Sequence, residues 1–127
     1  MDLPEPTLDE SERALFEKGI DELNTGFYFE CHETLEDLWH GVRGPARDFF
    51  QGLIQISVGC YHLTNGNLEG AGRLLDRAQA RLAKYPGRYG GIELEALRAE
   101  ARALRAAIAD GTVGEPEVAS LPKVRRG

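Results

Sequence analysis

The sequence predicts an all-α fold, a compact single-domain bundle of about five helices around a buried central third helix. Three observations lead there. Apolar residues recur at spacings of three and four, no stretch alternates with the period of two that a half-buried strand needs, and Gly, Pro and Asn-Gly breakers separate the periodic segments. A length of 127 residues suits one domain, because a chain of this size buries about two thirds of its extended surface.

Residues 1–6, rich in Pro and Glu, read as a loose lead-in. The first helix, about 8–25, starts near Thr7 or Asp9, since Thr7-x-x-Glu10 and Asp9-x-x-Glu12 both suit a reciprocal cap. Its stripe is Phe16, Ile20, Leu23 and Phe27, and Gly26 supplies a left-handed stop. The second, about 29–40, gathers Cys31, Leu35, Leu38 and Trp39 on one face and ends before Gly41 and Gly44-Pro45. The third, about 45–64, is apolar nearly all round and so should be central; Gly52 and Gly59 on one side permit a close neighbour. The fourth, about 67–85, is capped by Asn67 and carries the seam Leu68, Ala71, Leu75, Ala78, Leu82, with Arg73, Arg77, Arg81 and Lys84 outside. A Pro86–Gly91 loop leads to the fifth, about 92–110, with Leu94, Leu97, Ala101, Leu104 and Ile108 inward. Residues 1–111 therefore form the helical domain. Residues 112–127 read as an irregular tail that packs through Val118 and Leu121.

Composition narrows the function. With 42% hydrophobic and 28% charged residues the chain is neither a disordered nor a membrane protein, and no apolar run approaches the ~18 residues of a spanning helix. A net charge of -6 argues against a nucleic-acid partner, which needs clustered Lys and Arg. Two cysteines, Cys31 and Cys60, exclude a disulfide scaffold and a four-cysteine zinc site. The expected location is the cytoplasm. Partners are left open between a second copy of the chain and another protein.

One cluster does not suit a plain bundle. On ideal geometry His32 falls about 20° from Trp39 and Glu36 about 40° further, so both border the apolar face, whereas Glu30 and Glu33 lie further round toward solvent. On the third helix Arg47, Gln51, Gln55 and His62 share one edge within about 80°. Buried polar groups need partners, so the two edges are expected to face each other, with Arg47 neutralising Glu33 or Glu36. Two readings compete for the resulting pocket. In the first, His32, Glu36 and His62 ligate a divalent metal (Zn or Fe), with His32 and Glu33 catalytic and Glu30, Trp39, Arg47, Gln51 and Gln55 around them. A metal-activated water would then make hydrolysis the natural reaction class. His32-Glu33-Thr34-Leu35-Glu36 matches the His-Glu-x-x-His zinc helix only in part. In the second, the His/Glu/Gln cluster is a structural hydrogen-bond network in a non-catalytic interaction or oligomerisation module, with Arg73, Arg77 and Arg81 as a docking face. Trp39 and Tyr61 read as core aromatics, the cysteines as inert buried thiols, and His40 as a helix-end charge.

The run Gly26-Phe27-Tyr28-Phe29-Glu30-Cys31-His32-Glu33-Thr34-Leu35-Glu36-Asp37-Leu38-Trp39, followed by Gln51-Gly52-Leu53-Ile54-Gln55 and His62, resembles the small helical family called domain of unknown function 309. Glu30, His32, Glu33, Glu36, Trp39, Gln51, Gly52 and His62 fall on that family's pattern; His40 and Cys31 do not. The resemblance covers about residues 8–108. It implies a small cytoplasmic helical protein of prokaryotic or plastid type, with no settled activity.

Overall fold

The computed structural model describes residues 3–127. Five helices follow one another among them: α1 (Glu10–Thr25), α2 (Tyr28–Gly41), α3 (Arg47–Thr64), α4 (Leu68–Leu82) and α5 (Leu94–Asp110). The fold is all-α. Local chemistry sets the boundaries. Asp9 accepts from the Glu12 N–H while the Glu12 carboxylate accepts from the Asp9 N–H, closing a reciprocal cap at the start of α1. Gly26, at φ +87°, ends the helix in the left-handed region, and the Asn67 side chain accepts from Gly70 N–H to begin α4. Pro45 lies in a single 3-10 turn, Gly44–Ala46, rather than in α3 itself.

Sequential helices are neighbours: α1 packs on α2, α2 on α3, α3 on α4, and α4 on α5. α3 is the spine because it must serve two partners. Phe49, Phe50, Leu53, Ile54, Ile56, Cys60 and Leu63 are all buried, on more than one side of it. Its glycines set how closely α4 approaches. A Cβ on Gly52 would lie 2.6 Å from Leu82 Cδ2 and 2.7 Å from its Cγ, and Leu82 is itself fully buried. At Gly59 the nearest atoms, on Leu75, stand at 3.4 Å, an ordinary contact. Gly52→Ala is therefore expected to destabilise by about 1–2 kcal/mol, overpacking outweighing the gain in helix propensity. Gly59→Ala is expected to be neutral or to stabilise by up to about 1 kcal/mol. Urea midpoints of the two variants test this, and a shift of both in one direction would refute it.

Three segments differ from the expectation. Within the predicted 86–91 loop and the start of the expected fifth helix, the chain forms a hairpin, β1 (Arg88–Tyr89) and β2 (Ile92–Glu93), pairing Tyr89 with Ile92. Gly90 and Gly91 turn it at φ +63° and +76°, a two-residue connection that glycine makes at little cost. The lead-in is also tied down. The Tyr89 hydroxyl donates to the Pro4 carbonyl and the Gly90 N–H donates to the Glu5 carboxylate. Met1 and Asp2 lie outside the described residues. In the C-terminal segment Leu121 and Val124 are buried while Val118 is exposed. The Asn24 amide clasps Val124 through both its backbone groups, and Ile92 bridges Arg126. Among the described residues no helix is long and apolar enough to cross a membrane.

Candidate functional site

Three consecutive aromatics, Phe27-Tyr28-Phe29, open α2. Successive residues on a helix point about 100° apart, so one face cannot bury all three. Tyr28 goes inward at 3% exposure, and Phe29 stays 45% exposed. One turn on from Tyr28 stands His32. The last turns of α3 contribute Val58, Tyr61 and His62, again at helical spacing. These six residues line one cleft of about 150 Å³. The structure thus brings His32 and His62, thirty positions apart, to the same opening.

The lining is aromatic. The Phe29 ring lies 5.5 Å from Tyr61 and 5.3 Å from His32, and the Tyr61 ring 6.2 Å from His62. Tyr61 is 37% exposed and frames the mouth, which corrects its reading as a core residue. Tyr28 forms a buried wall, and its hydroxyl has no hydrogen-bond partner among the described residues. Burial, and then the nearness of Cys60 and Cys31, pushes its phenol well above the ordinary range. Behind it, burial pushes both the Cys31 and the Cys60 thiol up to about 12. Neither is a thiolate near neutrality, so neither is a nucleophile there.

His32 is oriented from both sides. Its Nδ1 lies 3.2 Å from the Phe29 carbonyl and its Nε2 3.4 Å from Glu36 Oε1, one turn along α2. Glu30 and Glu33 are exposed, as is His40 at the far end of the helix. The expected polar edge does not assemble. Among the described residues no hydrogen bond joins Gln51, Gln55 or His62 to His32 or Glu36, and Gln55 is buried with its Oε1 unpartnered. Arg47 neutralises neither Glu33 nor Glu36. Its guanidinium donates to the carbonyls of Trp39 and Val42 and lies 3.9 Å over the Trp39 ring. The physical reason is local: the end of α2 leaves carbonyls without intrahelical partners, and Arg47 follows a few residues later. The arginine row of α4 is engaged in part, Arg73 with Glu69 and Arg81 with Asp48, which Lys84 also binds.

Among the described residues no group of three or more His, Cys, Asp or Glu side chains converges as a metal cluster. His32 and Glu36 are the pair that comes nearest, His62 standing elsewhere on the cleft wall. Sequence reasoning missed Tyr28, Phe29 and Val58. The signal was the aromatic triplet at the head of α2.

Fold and site define a class: a small sequential helical bundle with a solvent-open aromatic cleft, flanked by two histidines, between its second and third helices. The comparisons find likenesses for part of the chain. Residues 16–74, which run from α1 into α4 and hold the whole cleft, match the family model described as Domain of unknown function (DUF309), so the resemblance read from the sequence over about residues 8–108 is borne out across that segment. An uncharacterized protein of Aquifex aeolicus (strain VF5) is 27% identical over 77 residues, 60% of this chain and 23% of that protein. The uncharacterized protein YpuF of Bacillus subtilis (strain 168) is 43% identical over 49 residues, 38% of this chain and 28% of that protein. The matched segments thus span only about a quarter of either relative's length.

Proposed function

We propose that the protein is a non-catalytic interaction module that takes one anchor side chain of a partner protein in the cleft between α2 and α3. The observation that supports it is the pair of exposed rings, Phe29 and Tyr61, framing an apolar cavity that nothing else in the described chain covers. Size selects the occupant. Pockets for drug-sized ligands run to roughly 300–1,000 Å³, whereas about 150 Å³ holds a single side chain. Binding energy at protein interfaces concentrates in such anchors.

The test is a titration of the isotope-labelled protein with the N-acetyl amides of Arg, Leu, Phe, Trp and Glu, followed by NMR. At least one is expected to shift resonances of Tyr28, Phe29, His32, Val58, Tyr61 and His62 together. Tyr61→Ala should abolish the response while changing stability little, because the residue is already more than a third exposed. Shifts scattered over the surface, or none, would reject the reading.

One observation favours a second reading. A nitrogen–oxygen separation of 3.4 Å is that of adjacent ligands on a tetrahedral ion with bonds of about 2.1 Å, and a His32 Nδ1–H donated to the Phe29 carbonyl would leave Nε2 free to ligate. In that reading His32 and Glu36 hold a divalent ion, His62 supplies the third donor from across the cleft, and Glu33 serves as base. Elemental analysis after metal challenge tests it: stoichiometric zinc or iron lost in His32→Ala supports it, and none bound rejects it.

A further inference from the structure

We infer that the anchor side chain is an arginine, presented by a basic segment of a partner protein. The inference rests on the interaction-module reading and adds the chemistry of the occupant.

Charge is the first argument. α2 carries Glu30, Glu33, Glu36 and Asp37, and neither α2 nor α3 carries a Lys or Arg apart from Arg47, which is turned to the end of α2. On the other helices and the hairpin several carboxylates are matched: Asp48 by Arg81 and Lys84, Asp76 by Arg105, Glu93 by Arg88, Glu100 by Arg125 and Glu17 by Arg126. Among the described residues Glu30, Glu33 and Asp37 meet no cation, and Glu36 meets only His32. Glu33 stands one turn beyond Phe29, and Glu36 one turn beyond His32, so both carboxylates follow directly on the cleft wall. The helix that forms one wall of the cleft therefore carries a run of carboxylates without a basic partner, on a chain whose net charge of -6 draws cations toward it.

Shape and surface chemistry are the second. Aromatic faces attract a cation, and a planar guanidinium, weakly hydrated, stacks on them more readily than an ammonium. The same two helices already hold one such pair, Arg47 over Trp39. The cleft offers Phe29 and Tyr61 rings at its mouth, and the His62 ring makes no hydrogen bond among the described residues, so a ring nitrogen is open to accept from a guanidinium N–H. A neutral aliphatic anchor would use the rings and leave the carboxylates idle. A second copy of the chain offers few free guanidinium groups, since Arg73, Arg81, Arg88, Arg98, Arg105, Arg125 and Arg126 are all committed to carboxylates of their own chain.

The experiment titrates the labelled full chain, at low ionic strength, with the peptide acetyl-Gly-Arg-Gly-amide and with analogues carrying citrulline or norleucine in place of arginine. The arginine peptide is expected to bind at least tenfold more tightly than the citrulline peptide, to shift Phe29, Tyr61 and His62, and to weaken as salt is added. Glu33→Gln with Glu36→Gln, both at surface positions, should remove the tenfold preference. Equal binding of the citrulline peptide, or a preference for norleucine, overturns the arginine inference and leaves the cleft a docking pocket for a neutral anchor. Concentration-dependent shifts of the same residues without peptide overturn it in favour of self-association. No response to any of the peptides, together with none to the amino-acid amides, sinks the docking reading as well.

Discussion

Replacing Phe49 with alanine is expected to cost about 3–5 kcal/mol of unfolding free energy, the range for deleting a buried aromatic side chain. Phe49 is wholly buried on the spine helix and sits among four other rings: Tyr89 at 4.9 Å, Phe50 at 5.0 Å, Tyr85 at 5.8 Å and Phe16 at 6.2 Å between centroids. Gly90 packs so closely that a Cβ there would lie 2.8 Å from the ring. The ring therefore joins α1, α3 and the hairpin, and rigid neighbours on three elements cannot all collapse into the space it leaves. With a total stability of about 5–15 kcal/mol for a domain of this kind, the loss takes a large share. Urea denaturation followed by circular dichroism measures it; a change under about 1.5 kcal/mol would mean that the aromatic cluster is not the centre of the core.

Arg98→Met ranks second, at about 2–4 kcal/mol, although arginine on a helix ordinarily faces water. Only 8% of Arg98 is exposed. Its Nη1 donates to the carbonyls of Leu82 and Tyr85 at 2.7 Å each, where α4 ends, while Nη2 reaches Glu95. Methionine fills the volume of the stem but leaves the Tyr85 carbonyl without its donor and the Leu82 carbonyl with the Tyr85 N–H alone. Glu95→Gln separates the two roles, because its carboxylate is exposed and the variant should change stability far less than Arg98→Met. The Arg98 guanidinium holds the Glu95 carboxyl below its ordinary value. What that pair contributes is thus present near neutrality and is lost as pH falls through the depressed value. A loss in Glu95→Gln as large as in Arg98→Met would show that the ion pair, not the carbonyl clasp, is what matters.

The helices were legible because burial writes a period into the chain. Ala71, Leu75, Ala78 and Leu82 on α4, and Leu94, Leu97, Ala101 and Leu104 on α5, are the buried positions that the three-and-four spacing marks. Arg98 escaped the same logic, since periodicity sorts side chains by type and cannot see an arginine spent on backbone carbonyls. The hairpin escaped because two-residue strands carry no alternation, although Tyr89-Gly90-Gly91-Ile92 holds the glycine pair that such a turn favours. At the cleft, helical angles placed His32 and His62 near the α2–α3 seam. They could not say which groups each polar residue would meet, and Arg47 went to carbonyls instead of carboxylates. Gln55 was expected in a network and lies buried with an oxygen unmatched. Phe29 and Tyr61 were unreadable as a pair for a different reason: an aromatic at helical spacing signals core, and only the folded structure reveals that both of these are exposed.

The small hairpin has a consequence out of proportion to its four strand residues. Pro4 and Glu5 hold it from one side, while Arg125 and Gly127 hold it from the other through the Glu93 amide and the Gly91 carbonyl. A glycine turn of this kind is usually where a protease cuts first. Here it works as a buckle for two straps, so a nick between Gly90 and Gly91 would release both at once and uncover Phe49 beneath, turning a surface scission into an opening of the interior.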